Sequence, residues 1–170
     1  MKNITSIVVQ KMIAYFEKDV RRINHALKVY TFSKTIGEME GLDDKTQLIL
    51  DISSILHDIG IKESERKYSS SAGNYQEIEG PPVAQELLRD LNLDDDILKR
   101  ISYLIGNHHS YNNIDGIDLQ ILVEADFLVN AYEDNIKPES IKVFKEKYGQ
   151  TQTFKTYLDS MYKKVATPLR

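Results

Sequence analysis

The chain has 170 residues, which is enough for one domain with a single core of ordinary size. It carries 22 Lys and Arg against 26 Asp and Glu, so its formal net charge of -4 argues against a general nucleic-acid binder. The chain has no cysteine, which excludes disulfides, thiolate zinc sites and cysteine nucleophiles.

The sequence gives no sign of a membrane segment. No stretch reaches the roughly 18 apolar residues that span a bilayer, and the first segment is typical of an amphipathic helix rather than a signal peptide. We therefore expect a soluble, cytoplasmic protein with no membrane partner.

Apolar residues spaced three and four apart, in long stretches with few glycines and prolines, predict an all-α fold. The first three helices are expected over residues 4–18, from an N-cap at Asp19 to Gly41, and from a cap at Asp43 or Asp44 to the region of Gly60. The third of these helices is apolar on nearly every face, as in a helix buried at the centre of a domain.

A change in composition follows the third helix. Residues 61–79 are polar and rich in serine and charge, which predicts a mobile loop, and Gly80-Pro81-Pro82 predicts the start of a fourth helix. The later helices are expected from a cap at Asp94 or Asp95, from Asp118 to about Tyr132 after a turn at 111–116, from Pro138, and over 152–164.

Histidines and carboxylates fall in the apolar parts of these helices. His25 lies on an apolar stripe, His57 and Asp58 end the most apolar helix, and His108 lies two turns after Ile101. Asp126 lies within 119–129, a segment that is apolar nearly all round.

An unpaired buried carboxylate costs several kcal/mol, so Asp58 and Asp126 need partners. The basic side chains lie mostly on polar faces or in loops, whereas the histidines lie on the apolar faces. A divalent cation held by imidazole nitrogens and carboxylate oxygens would satisfy both residue types, and this ligand mix suits Mn, Fe, Co, Ni or Zn better than Ca.

The order His25, His57-Asp58, Asp126, with each part on its own helix, resembles the HD superfamily of metal-dependent phosphohydrolases. The stretch His57-Asp58-Ile59-Gly60 matches the signature of that family, and the resemblance covers about residues 20–133. It implies an HD-domain-like helical bundle with a central metal site. We expect residues 1–170 to form a single domain of this type, with C-terminal helices over 138–165.

The resemblance implies one or two divalent ions, drawn from Fe, Mn, Ni, Co, Zn and Mg. The one-metal pattern uses His25, His57, Asp58 and Asp126, while the two-metal pattern adds two histidines and lets the HD aspartate bridge both ions. Glu79 stands where two-metal relatives usually have the first added histidine, and the second is filled by His108 or His109. Either Glu79 replaces the missing imidazole as a ligand, or the second site is empty or weak.

The resemblance also implies hydrolysis of a phosphomonoester or phosphodiester in a small, nucleotide-like molecule, by a water that the metal activates. Asp58 is the catalytic candidate, because it would ligate the ion and could orient that water. The substrate-binding candidates are Lys62, Arg66 and Lys67 after the HD pair, Arg22 one turn before His25, His109, and Asn130 one turn after Asp126. The acidic net charge speaks against long nucleic acid as the substrate.

Two other functions stay open. A binding or regulatory module would keep the fold and the metal but lack turnover. A relative of the di-iron oxygenase type would need both added ligands. The sequence does not fix the metal, the substrate or the oligomeric state.

Overall fold

The computed structural model describes residues 4–162, and within that range the chain forms nine α-helices and no strand, which confirms the all-α prediction. The helices are α1 Ile4–Phe16, α2 Val20–Glu40, α3 Asp44–Leu56, α4 Ile61–Tyr68, α5 Gly73–Leu88, α6 Asp95–Ile105, α7 Ile117–Glu133, α8 Pro138–Tyr148 and α9 Gln152–Tyr162. The predicted end of the last helix at residue 164 lies outside the described residues.

Side-chain caps begin the second and third helices where the sequence predicts them. The carboxylate of Asp19 accepts a hydrogen bond from the Arg22 amide at 3.2 Å, and Asp43 accepts from the amides of Lys45 and Thr46. Helix α2 ends at Gly41, whose φ of 76° lies in the left-handed region that glycine enters without strain.

The prediction of a mobile loop over residues 61–79 is wrong. Helix α4 follows the HD pair after a single turn, and helix α5 begins at Gly73, so only residues 69–72 separate two helices. Helix α4 is short and strongly amphipathic, burying Ile61 and Ser64 while its charged residues line the outer face. With only two buried residues, it leaves little apolar periodicity in the sequence.

The prediction that Gly80-Pro81-Pro82 starts a helix is also wrong, because all three residues lie inside α5. A proline ring fixes φ near the helical value, so the helix can continue although two amide donors are missing. Gly80 lies at the crossing with the turn before α4, where a Cβ at Gly60 would stand 2.5 Å from the Gly80 nitrogen.

Helices α2, α3 and α7 form the centre of the molecule, with α2 packed against both of the others. The second half of α3 and nearly all of α7 are buried on every face, as their continuous apolar sequence predicts. No helix within residues 4–162 is long and apolar enough to cross a membrane.

A buried carboxylate ties the C-terminal part of the chain to this centre. Glu124 of α7 is fully buried and accepts hydrogen bonds from the Gln150 amide, the Thr151 amide, the Thr151 hydroxyl and the Gln120 side chain, at 2.6–2.9 Å. Gln150 and Thr151 lie just before helix α9, so three of the four hydrogen bonds join the start of that helix to the helix that carries Asp126.

Candidate metal centre

Four elements bring five of the six predicted ligands together in the interior. His25 comes from the first half of α2, the His57-Asp58 pair from the turn after α3, His108 from the turn after α6, and Asp126 from the middle of α7. The side chains of His57 and His108 are fully buried, and Asp58 is the most exposed of the five at 18% of its side chain.

The first group of donor atoms surrounds His25 and His57. The Nε2 atom of His25 lies 3.2 Å from His57 Nε2, 3.1 Å from Asp126 Oδ1 and 3.5 Å from Asp58 Oδ2. The Nε2 atom of His57 lies 3.5 Å from each of the same two carboxylate oxygens.

The second group of donor atoms consists of Asp58, His108 and His109, and it shares Asp58 with the first group. Donor atoms of these three residues all lie within 4.8 Å of one another. The second carboxylate oxygen of Asp58, Oδ1, lies 3.4 Å from His108 Nε2. Asp58 therefore stands between two sets of imidazoles and offers one oxygen to each.

In each of His25, His57 and His108, the ring nitrogen that faces away from the carboxylates, Nδ1, has a hydrogen-bond partner. The Nδ1 atoms of His57 and His108 lie 2.8 Å from the main-chain carbonyls of Ser54 and Ile105, and His25 Nδ1 lies 2.8 Å from Glu133 Oε2. The rings are thus oriented so that all three Nε2 atoms point at the carboxylates.

The donor set fits a divalent cation. Metal–nitrogen and metal–oxygen bonds of about 2.1 Å place neighbouring ligand atoms about 3.0–3.4 Å apart, close to the separations seen between these donors. Among residues 4–162, His108 Nε2 is a buried nitrogen with no hydrogen-bond partner, although it faces Asp58. A cation would give this atom a direct partner, whereas the protein offers it only Asp58 Oδ1 at 3.4 Å without a hydrogen bond.

A family model for the HD domain matches residues 22–145, most of the chain. The chain belongs to the HD domain family. The match spans His25, the His57-Asp58 pair, His108 and Asp126. No curated protein and no solved structure matches the chain.

In the centre of this HD domain, the imidazoles and the carboxylates each favour the charged form of the other. Burial opposes ionisation of His25, but the hydrogen bond to Asp126 and the charge of Asp58 raise the pKa of the imidazole to about 9. Burial likewise opposes the rise in the pKa of His57, which Asp58 and Asp126 cause. The imidazoles in turn lower the pKa of Asp58 and of Asp126 against the effect of burial. The carboxylates of the centre are therefore held ionised, as metal ligands must be.

Glu79 is not brought into either group of donors. Its carboxylate pairs with Lys67 Nζ at 2.5 Å and accepts a hydrogen bond from the Tyr68 hydroxyl at 2.9 Å, which joins α5 to the end of α4. The pKa of Glu79 is lowered by these two hydrogen bonds. In the HD domain of this chain, His109 rather than Glu79 lies near Asp58 and His108.

Of the four basic candidates, Arg22 lies one turn before His25 on α2, and the other three lie on α4. Lys67 pairs with Glu79, as described above. Arg22 pairs with Glu65 and Asp19, and these carboxylates, followed by Asp58, raise its pKa against the effect of burial. Lys62 donates to the Tyr15 carbonyl at 2.7 Å and lies over the Tyr15 ring, while Arg66 pairs with Glu63 on the surface.

The other two substrate-binding candidates are His109 and Asn130. Burial, with the charge of His108, lowers the pKa of His109 to about 4, and its ring lies 3.9 Å from that of His108. Asn130 lies half-buried on α7, one turn after Asp126.

Sequence reasoning missed Glu133, the partner of His25. A signal for it exists in the spacing, because Glu133 follows Asp126 by seven residues and so lies on the same face of α7 two turns later. A carboxylate at the end of a helix is ordinary by itself, and only the position of α2 beside α7 makes it part of the site.

Proposed function

We propose that this protein is a metal-dependent phosphohydrolase that acts on a small phosphomonoester or phosphodiester of nucleotide-like character. The observation that carries the proposal is the convergence of three imidazole Nε2 atoms on Asp58 and Asp126 in a buried centre. Membership of the HD domain family supports metal-dependent hydrolase chemistry. The net charge of -4 favours a small substrate over long nucleic acid.

His25, His57, Asp58 and Asp126 would hold the ion, with His108 and His109 available for a second one beside Asp58. When bound, such an ion lowers the pKa of a coordinated water toward neutrality and offsets negative charge on a phosphoryl oxygen. The surrounding apolar helices exclude bulk solvent, which strengthens each electrostatic contact in the site.

We assign Asp58 to the orientation of the attacking water. It is the most exposed of the five inward side chains, and the imidazoles of His57 and His108 lower its pKa, so it remains an ionised acceptor. An ionised carboxylate at the mouth of the centre can accept a hydrogen bond from a water and hold it in place.

We assign Arg22 to the remaining charge of the phosphate, because it precedes His25 by three residues on α2 and therefore lies on the same face of that helix. Lys62 and Arg66 have partners away from the centre. His109 and Asn130 are proposed to contact other parts of the substrate.

The test is turnover by metal-free protein reconstituted with Mn²⁺, Co²⁺, Ni²⁺, Fe²⁺ or Zn²⁺. The probes are p-nitrophenyl phosphate, bis(p-nitrophenyl) phosphate and nucleoside monophosphates. We expect metal-dependent hydrolysis of at least one probe, lost in His57→Ala and Asp58→Asn and kept in Asp159→Asn, a surface control. Tight metal binding without turnover on any probe would favour the regulatory module instead.

A second candidate function rests on the position of Asp58 between the two groups of donors. A carboxylate that offers one oxygen to each of two imidazole sets would suit a site for two ions, as a relative of the di-iron oxygenase type would require. That function predicts two iron atoms per chain and substrate-dependent oxygen uptake. One redox-inert ion that suffices for full activity would rule it out.

A further inference from the structure

His25, His57 and His108 differ in the group that forms a hydrogen bond with their Nδ1 atom. His57 and His108 lie just beyond the ends of α3 and α6, where main-chain carbonyls have no helical partner, and each ring uses the carbonyl three residues earlier. His25 lies in the body of α2, where the carbonyls are already bound within the helix. Its ring therefore needs a partner from another element.

That partner is Glu133 at the end of α7. Its Oε2 atom lies 2.8 Å from His25 Nδ1, and its Oε1 atom lies 2.5 Å from Lys28 Nζ. Lys28 follows His25 by one turn of α2, so a single carboxylate joins two positions of the same helix face. The Glu133 side chain is 15% exposed and the Lys28 side chain 49% exposed, which places the pair where the centre meets the surface.

We propose that Glu133, anchored by Lys28, is the positioning residue that fixes the ring orientation and tautomer of His25 for metal binding. The inference rests on the metal centre of the proposed function. An imidazole that binds a metal through Nε2 carries its proton on Nδ1, and an ionised carboxylate is an acceptor that holds that proton. Glu133 thereby turns the Nε2 lone pair of His25 toward Asp58 and Asp126.

The arrangement of donors and acceptors makes a specific prediction about the amide variant. In Glu133→Gln, both neighbours are donors, yet the amide offers them one oxygen and one NH₂ group. If the oxygen faces Lys28, the NH₂ group faces the Nδ1 proton of His25, and the ring loses its acceptor. Removing the lysine by Lys28→Met frees the amide oxygen for His25.

The test is titration of metal-free protein with Co²⁺, read by calorimetry and by the visible absorption of the bound ion. We expect Glu133→Gln to weaken Co²⁺ binding about tenfold to a hundredfold and to change the spectrum. Lys28→Met alone should bind with a smaller loss, and the Lys28→Met/Glu133→Gln double variant should recover much of what Glu133→Gln loses. Asp159→Asn, which removes a surface carboxylate from a lysine pair, should match the wild type.

A measurement on the His25 ring itself distinguishes a role in positioning that ring from a purely structural link between α2 and α7. In ¹⁵N-edited NMR of the Zn²⁺-loaded protein, the Nδ1 proton of His25 should be protected from exchange in the wild type and exposed in Glu133→Ala. Circular dichroism before each titration identifies any variant that fails to fold, and the double variant then provides the decisive comparison.

The outcomes distinguish this inference from the proposed function. Wild-type Co²⁺ affinity and spectrum in both Glu133→Gln and Glu133→Ala would overturn the role of Glu133 and leave the metal centre intact. A wild-type protein that binds no Co²⁺, or binds it equally well after His57→Ala, would overturn both.

Discussion

Asp51 of helix α3 is a buried carboxylate whose partners do not offset its burial. It is 5% exposed, accepts a hydrogen bond from the Gln47 side chain at 2.7 Å, and lies 3.6 Å from Lys34 Nζ. Burial nevertheless raises the pKa of Asp51 above its ordinary 3.8. Asp58 and Asp126 show the opposite shift, because imidazoles surround them.

We predict that Asp51→Asn increases the free energy of unfolding at pH 7. The folded state binds a proton at Asp51 more readily than the unfolded state, so the ionised carboxylate is destabilising at neutral pH. The difference should shrink as the pH falls through the raised pKa and vanish below 3.8, where both states are protonated. Urea unfolding at pH 7, 5 and 3.5 measures it.

Asp90→Asn is the control with the opposite sign. Asp90 is exposed and paired with Lys11, whose hydrogen bond lowers the pKa of the carboxyl, so its removal should be neutral or slightly destabilising at pH 7. A loss of stability in Asp51→Asn that persists at pH 3.5 would contradict the electrostatic explanation.

At the scale of single residues, the sequence predicted which polar side chains meet in the interior where they stand out against apolar neighbours. His25 and Asp126 lie within buried helices, whereas His57, Asp58 and His108 lie just after them, and burial forces such residues to find partners. Glu79, Lys62 and Arg66 lie in a segment rich in charge, where the sequence does not indicate which charges pair with one another. The local pairs with Lys67, Tyr15 and Glu63 follow from the packing of α4 on its neighbours.

At the scale of elements, the turn after the HD pair is held in place by close contact between its backbone and the backbone of α5. A Cβ at Gly60 would lie 2.5 Å from the Gly80 nitrogen and 2.7 Å from the Gln76 carbonyl, both main-chain atoms of α5. A Cβ at Gly80 would instead meet a methyl group of Ile105 at 2.6 Å. The first clash can be relieved only if a helix moves, whereas the second can be relieved by a side chain.

We predict that Gly60→Ala destabilises the fold by at least about 2 kcal/mol, within the range of overpacked cores, and by more than Gly80→Ala. Because Gly60 follows Asp58 by two residues, Gly60→Ala should also weaken Co²⁺ binding. Denaturant unfolding and Co²⁺ titration of the two variants check the order. Equal stability of both would show that α5 yields easily at this crossing.

Helices with long apolar patterns were easier to predict than short amphipathic ones. Helices α2, α3 and α7 have sustained apolar patterns, α2 and α3 also have side-chain caps, and the predicted positions of all three are confirmed. Helix α4 failed as a prediction because its eight residues bury only Ile61 and Ser64. Prolines 81 and 82 suggested a boundary, yet α5 accommodates them in its interior.

For the whole molecule, the metal centre and the fold depend on each other. The proposed ligands, residues 25, 57, 58 and 126, meet only when α2, α3 and α7 have packed together. An unfolded chain offers no such arrangement, so we expect metal binding to add to the stability of the folded state.

We predict that Co²⁺ at a hundred times its dissociation constant stabilises the protein by about 2.7 kcal/mol. For a chain of this size, that corresponds to a rise in Tm of about 5–10 °C. Thermal unfolding with and without Co²⁺, and again after a chelator, measures the change. Asp126→Asn and His57→Ala should lose the response, and an unchanged wild-type Tm would argue against a ligand set built by folding.

The hydrogen bonds of Glu124 connect the metal centre to residues beyond the end of the family match at residue 145. Three of the four donors to this carboxylate come from Gln150 and Thr151, and Glu124 precedes Asp126 by two residues on the same helix. A protein shortened to the matched segment would strand a negative charge in its interior, directly beside a proposed ligand. The segment between α8 and α9 therefore holds the buried charge next to the centre, and shortening the chain to the matched residues would remove three of its four hydrogen bonds.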